Sequence, residues 1–212
     1  MVGPMSLGKL KVMLESDVPP IQSPNRALEQ YTTPPEIALA MTSWAREAGL
    51  LEGSVVVDLG AGTCRIAIAA LLLGASRAVA VDLDERLAKP CLEAGRKLGV
   101  SGRLSYVVGR VSQAVGPLRQ GAYDLVLTNP PFGVWRRGAD REFLVYAMSL
   151  RPKAIIAVVK SGNLDFHGRL ARMGNYELKL IGEFGFPIPA SMPHHRSRIR
   201  RVKVDLIELS GI

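Results

Sequence analysis

Asn129-Pro130-Pro131-Phe132 joins a polar hook, two rigid residues and an aromatic plate in four positions. An asparagine side chain offers both an acceptor oxygen and an NH₂ donor. Two prolines remove backbone N–H groups and fix φ, which leaves the preceding carbonyls as stiffly aimed acceptors. Phe132 can stack on a flat group. Such a set suits a planar amine, its N–H groups held by two acceptors and its face clamped. The same four residues also fit a proline-stiffened turn with Phe132 in the core. The apolar run Tyr123-Asp124-Leu125-Val126-Leu127-Thr128 reads as a buried strand. The quartet therefore sits at a strand's carboxyl end, where open α/β sheets bind ligands.

Upstream, Val55-Val56-Val57-Asp58-Leu59-Gly60-Ala61-Gly62-Thr63-Cys64 is an apolar strand running into a glycine turn. Gly60 and Gly62 let backbone approach a ligand closely. Alone, Gly-x-Gly is shared by dinucleotide-binding folds and many ordinary strand-to-helix turns. Asp82, however, closes the next apolar strand (Ala78-Val79-Ala80-Val81), about 20 residues on, where a carboxylate can accept from ribose hydroxyls. Glycine turn, acid and Asn-Pro-Pro-Phe thus fall at the ends of strands. A nucleoside cofactor beside a planar amine accounts for all three.

The elements that must position these residues alternate strand and helix, which argues for an α/β fold with helices on both faces of a parallel sheet. Strands are expected near 55–59, 78–82, 104–108, 123–128 and 154–159, and helices near 64–73, 84–98, 139–150 and 163–173. Two last strands, near 176–184 and 200–209, have no helix between them and read as an antiparallel edge pair. Residues 1–27, rich in Pro and Ser, read as a wrapping arm, so the domain division is an arm over 1–32 and a single domain over 33–212. The first helix is expected from Pro34 to Ala48, with Thr33 as its cap.

With these motifs the chain resembles the class I methyltransferases that use S-adenosylmethionine, in the amino-methylating group with an Asn-Pro-Pro-aromatic motif. More narrowly it is similar to the archaeal and eukaryotic methyltransferase-like family that makes N6-methyladenosine in small-subunit ribosomal RNA. The likeness runs through Leu28-Glu29-Gln30-Tyr31-Thr32-Thr33-Pro34, Asp58-Leu59-Gly60-Ala61-Gly62, Asp82-Leu83-Asp84, Asn129-Pro130-Pro131-Phe132-Gly133, Ala190-Ser191 and Val204-Asp205-Leu206-Ile207. The resemblance implies a three-layer, Rossmann-like sheet of seven strands, mostly parallel, with an antiparallel last strand. It implies S-adenosylmethionine as cofactor, held by Gln30, Tyr31, Thr33, Asp58, Gly60, Gly62, Thr63 and Asp82. Where relatives carry an acid for the cofactor adenine, this chain has Arg110, so backbone at Arg110 and Val111 is left to make that contact. Asn129, Pro130, Pro131 and Phe132 become the catalytic quartet, with no strong base required. Resembling enzymes also take a small zinc-containing activator protein on an exposed edge strand, here Leu104-Ser105-Tyr106-Val107-Val108.

A net charge of +8 favours a polyanionic partner. It is unevenly placed. From His194 to Lys203 stand His194, His195, Arg196, Arg198, Arg200, Arg201 and Lys203 with no acid, and Arg136, Arg137 and Arg141 follow the Asn-Pro-Pro-Phe loop. Arg136, Arg137, His195, Arg196 and Arg198 are the expected RNA contacts, through phosphates; a solvated basic surface is the plain alternative. Trp135 reads as a loop aromatic able to stack on RNA, Trp44 as a packing residue, His167 as a surface helix residue. Cys64 and Cys91 read as small buried hydrophobes in a protein of the reducing cytoplasm. No Cys/His cluster has zinc-ligand spacing, so no metal is expected. No apolar run approaches the roughly 20 residues that span a bilayer, and Met1 to Leu10 lacks the pattern of a signal peptide.

Three functions fit these features. The first is methylation of adenosine N6 in RNA, ribosomal RNA foremost. Another is glutamine-N5 methylation of a translation release factor, whose enzymes carry Tyr at the Phe132 position and an added helical domain. A non-catalytic nucleoside- or RNA-binding module is the third. Adenine in DNA stays open, because nothing in these residues senses a 2′-hydroxyl.

Overall fold

The computed structural model describes residues 6–111, 118–133, 138–189 and 199–212. The first helix, α1 (Leu7–Asp17), lies inside the segment expected to be an irregular arm. Ser6 caps it, its hydroxyl accepting from the Lys9 amide at 3.4 Å. Leu10 and Leu14, one turn apart on one face, are both buried. Proline content masked this helix, because Pro19, Pro20 and Pro24 all lie beyond its end. Next comes α2 (Pro35–Glu47), which starts one residue later than expected and has Pro34, not Thr33, at its cap. The Thr33 hydroxyl is engaged elsewhere, as described below.

Then follow β1 (Val55–Leu59), α3 (Arg65–Leu72), β2 (Arg77–Asp82), α4 (Ala88–Lys97), β3 (Leu104–Val108), β4 (Leu125–Thr128), α5 (Ala139–Ser149), β5 (Ala154–Lys160), α6 (Leu164–Met173), β6 (Tyr176–Pro189) and β7 (Ile199–Gly211). These match the expected elements within a few residues. The sheet order is β3-β2-β1-β4-β5-β7-β6. Strands β3, β2, β1, β4 and β5 pair in parallel, and β7 runs antiparallel to both β5 and β6. The fold is thus the three-layer α/β sheet of seven strands with a reversed last strand.

Alternation along each strand feeds two cores. Val56, Leu125, Leu127, Ile156 and Val158 face the layer holding α1 to α4. Val57, Leu59, Val126, Ile155, Ala157 and Val159 face α5 and α6. Burial on both faces is what a central parallel sheet requires. The chain leaves β1 toward β2 and β3 and later returns on β1's other side as β4. That reversal opens a crevice at the carboxyl ends of β1 and β4. The Thr128 hydroxyl donates to the Leu59 carbonyl at 2.8 Å and pins the two strand ends side by side.

Two expectations fail in the core. Cys64 and Cys91, read as separate hydrophobes, form a disulfide with Cα atoms 5.2 Å apart. It joins the start of α3 to α4, and neither cysteine is exposed. Wide separation in sequence hid the pair, since 27 residues part them while β2 brings their helices together. His167, read as a surface residue, is buried on α6, with Nε2 3.1 Å from Asp140 Oδ2 at the start of α5. Trp44 does pack: its indole N–H donates to Glu208 at 2.6 Å, and the Lys179 ammonium lies 4.5 Å from its ring centroid. Among the described residues no helix is long and apolar enough to cross a membrane.

Candidate active site

The crevice beyond β1 and β4 is a cavity open to solvent. Several segments meet there, and most bring residues singled out in the sequence. From the segment before α2 come Gln30, Tyr31 and Thr33; from the turn after β1 come Gly60, Gly62 and Thr63; Asp82, Arg110, Val111, Asn129 and Pro131 come from the ends of β2, β3 and β4.

The glycine turn follows from its backbone. Gly60, Gly62 and Cys64 all have positive φ, at 73°, 54° and 67°. A Cβ on Gly60 would stand 3.0 Å from the Phe143 ring, and one on Gly62 would stand 3.3 Å from Ile21. Both positions thus need glycine for conformation and for space. The Gly60 and Ala61 amides donate to the Val81 carbonyl at 2.8 and 3.0 Å. The Gly62 amide donates to Asp82 Oδ2 at 2.8 Å, while Asp82 Oδ1 accepts from the Asp84 amide at 2.9 Å. Asp82 therefore both shapes the turn and keeps lone pairs for further donors. Burial raises its pKa, opposed by those amide bonds.

Asp58 takes a different position from the other cofactor candidates. It is fully buried, does not line the cavity, and accepts from the Ala67 amide at 3.0 Å through Oδ2. It anchors the first turn of α3 against the end of β1. Burial pushes its pKa up to about 7, with the Asp82 charge adding to the rise.

The segment before α2 is tied down by a residue that the sequence reading passed over. The Arg65 guanidinium donates to the Thr33 carbonyl at 2.8 Å and to the Val18 carbonyl at 2.7 Å. The Thr63 hydroxyl donates to the Pro19 carbonyl at 2.8 Å. Gln30 accepts from the Asn25 amide at 2.8 Å and donates to Asp84 at 2.9 Å. The segment is thereby held over the glycine turn as one wall of the cavity. Asp84 is itself gripped by Arg86, whose guanidinium lowers its pKa.

At the tip of β4, the Asn129 side-chain NH₂ donates to Thr33 Oγ1 at 2.9 Å. That bond leaves the amide oxygen, Oδ1, buried with no hydrogen-bond partner. Pro131 lines the cavity; Pro130 and Phe132 lie behind it, buried. Phe132 sits in the core with its ring edge-to-face on Phe186, centroids 5.2 Å apart. Phe143 and Glu142, at the start of α5, also line the cavity and were not singled out. One signal could have found them. A helix that follows a parallel strand begins at the rim where ligands bind.

Arg136, Arg137, Trp135, His194, His195, Arg196 and Arg198 lie outside the described residues, as does Ala190-Ser191. Of the remaining basic positions, Arg141 on α5 and Arg201 and Lys203 on β7 are exposed. Among the described residues no group of three or more His, Cys, Asp or Glu side chains is placed to hold a metal ion.

A sheet with a reversed last strand, a glycine turn backed by an acid, and an asparagine with a free oxygen at the neighbouring strand tip define a class I methyltransferase. The family model described as conserved hypothetical protein 95 matches residues 33–184. The chain is 31% identical over 206 residues to the rRNA N(6)-adenosine-methyltransferase Mettl5 of Drosophila melanogaster, covering 95% of this chain and 94% of the relative. With the METTL5 protein of Danio rerio it shares 29% identity over 210 residues, covering 97% and 99%. The crystal structure of PH1948 from Pyrococcus horikoshii superposes with a TM-score of 0.84 at 28% identity, over 98% of each chain. This chain belongs to the Mettl5-like methyltransferase family.

Proposed function

We propose that this protein transfers a methyl group from S-adenosylmethionine to the exocyclic N6 amine of an adenosine in RNA, ribosomal RNA being the first substrate to test. The observation that carries this reading is the buried, unpartnered Oδ1 of Asn129, a residue that lines the cavity together with the glycine turn and Asp82. A buried acceptor without a donor costs roughly 1–3 kcal/mol. A substrate N–H relieves that cost on arrival. Relatives named as rRNA N(6)-adenosine methyltransferases add support.

The residues present fit the cofactor. Gly60 and Gly62 leave backbone uncovered, Asp82 has lone pairs for ribose hydroxyls, and Gln30, Tyr31 and Thr33 close the outer wall. When bound, S-adenosylmethionine supplies an electrophilic methyl group on a sulfonium. Thr33 turns Asn129 so that its oxygen accepts an amine N–H, and the proline backbone offers a second acceptor. The two acceptors hold the nitrogen lone pair toward the methyl carbon, and positioning of this kind is worth several orders of magnitude in rate. The cofactor held at this wall would supply the methyl group, its sulfur keeping the C–S electron pair. The nitrogen, now cationic, gives up a proton to solvent, so no strong base is needed. Phe132 supports the motif from behind, its ring braced by Phe186.

Exposed Arg141, Arg201 and Lys203 suit a phosphate backbone. Among the described residues the outer side of β3 pairs with no strand and Val108 on it is half exposed, the kind of edge to which a small activator protein could add. Incubation with radiolabelled S-adenosylmethionine and either ribosomal RNA, single-stranded DNA or a release factor tests the reading. Label is expected in RNA as N6-methyladenosine. Label in glutamine, or in DNA alone, would overturn the substrate assignment.

A further inference from the structure

Phe143 occupies a position that the methyl-transfer reading leaves unused. It stands on the second turn of α5, half buried, and lines the same cavity as Asn129 and the glycine turn. Its ring atoms Cε1 and Cζ lie 3.0 and 3.5 Å from the point where Gly60 would carry a Cβ, and the Asn129 carbonyl oxygen lies 4.0 Å from that same point. Ring, carbonyl and glycine thus converge on the spot between the cofactor turn and the Asn-Pro-Pro tip. A ligand seated along the glycine turn beside Asn129 would therefore lie next to that ring.

The geometry points to Phe143 as the residue that reads the positive charge of the methyl donor. This rests on the methyl-transfer reading above. Aromatic faces attract cations within about 6 Å of the centroid, the more so when water is excluded. Before transfer the sulfur is a cation; afterwards it is a neutral thioether, because the C–S electron pair has returned to it. A ring at this point holds the charged donor and loses its grip on the spent product. The site thereby discriminates S-adenosylmethionine from S-adenosylhomocysteine by charge alone. Asp82 and Glu142 also line the cavity, so general electrostatic attraction must be separated from the ring's share.

Calorimetric titration of wild type and Phe143→Leu with each of the two ligands makes that separation. Leucine keeps an apolar side chain and both carboxylates while removing the ring. The expected result is an affinity for S-adenosylmethionine lowered roughly 3- to 30-fold, with that for S-adenosylhomocysteine lowered several-fold less. Phe143→Tyr, which restores a ring, is expected to recover the preference. Equal weakening of both ligands, or none, would overturn the role. Should Phe143→Leu melt below the titration temperature, Phe143→Met is read by the same two ratios. Wild type that binds neither ligand would sink the methyl-transfer reading itself, an outcome distinct from equal sensitivity of both.

Discussion

Two polar side chains at neighbouring strand ends serve opposite purposes, Asn129 at the cavity and Asp58 inside the fold. Asn129 keeps one amide group satisfied by Thr33 and one open. Asn129→Ala removes the acceptor without touching the core, so melting is expected to stay close to wild type. Single-turnover methyl transfer is expected to fall roughly 100-fold or more, the scale of losing a group that sets reacting geometry. Asp58 is fully enclosed, and burial rather than substrate accounts for its high pKa. Its carboxyl titrates at about 7 in the folded chain against 3.8 ordinarily. Between those values the folded protein holds a proton that the unfolded chain has lost. Stability from this group is full below about pH 4 and is lost as pH rises through about 7. Asp58→Asn keeps the bond to Ala67 and cannot ionise, so its unfolding free energy should fall less steeply over that window in denaturant titrations. A slope identical to wild type would show that the carboxyl stays charged. Both were legible as motif residues, Asn129 also as one at a ligand-binding strand end; that Asp58 braces a helix away from the cavity was not.

At the scale of elements, the disulfide ties α3 to α4, and the segment before α2 forms one wall of the cavity. Cys64 opens α3 directly after the glycine turn, and Cys91 sits on α4. A cross-link closing a loop of 27 residues stabilises by about 3–4 kcal/mol through the unfolded chain. Cys91→Ala, or reduction, is therefore expected to lower Tm by roughly 10 °C in a calorimetric scan. Unchanged melting with and without reductant would argue that the bond adds nothing. Strand and helix spans were readable because apolar alternation and helical periodicity are local signals. α1 was missed because neighbouring prolines outweighed the modest pairing of Leu10 and Leu14. Thr33 was misassigned because a threonine before a proline looks like a cap, whereas its hydroxyl serves a residue 96 positions away.

For the whole molecule, charge and topology act together. The net charge of +8 favours a polyanionic partner. Binding to RNA is expected to weaken with salt, log K falling linearly with log salt concentration. Arg201→Ala with Lys203→Ala should shallow that slope by about two if both meet phosphates, measured by fluorescence anisotropy across a salt series. No change in slope would place the RNA elsewhere. The amino-acid sequence alone determined the layer order, the glycine turn, the acid after β2 and the Asn-Pro-Pro tip, since each is written in neighbouring residues. Only the tertiary structure decided the Cys64–Cys91 bond, the grip of Arg65 on Val18 and Thr33, the buried His167–Asp140 contact and the free oxygen of Asn129. Those depend on groups far apart in the chain meeting across the sheet, and no local periodicity records which of them meet.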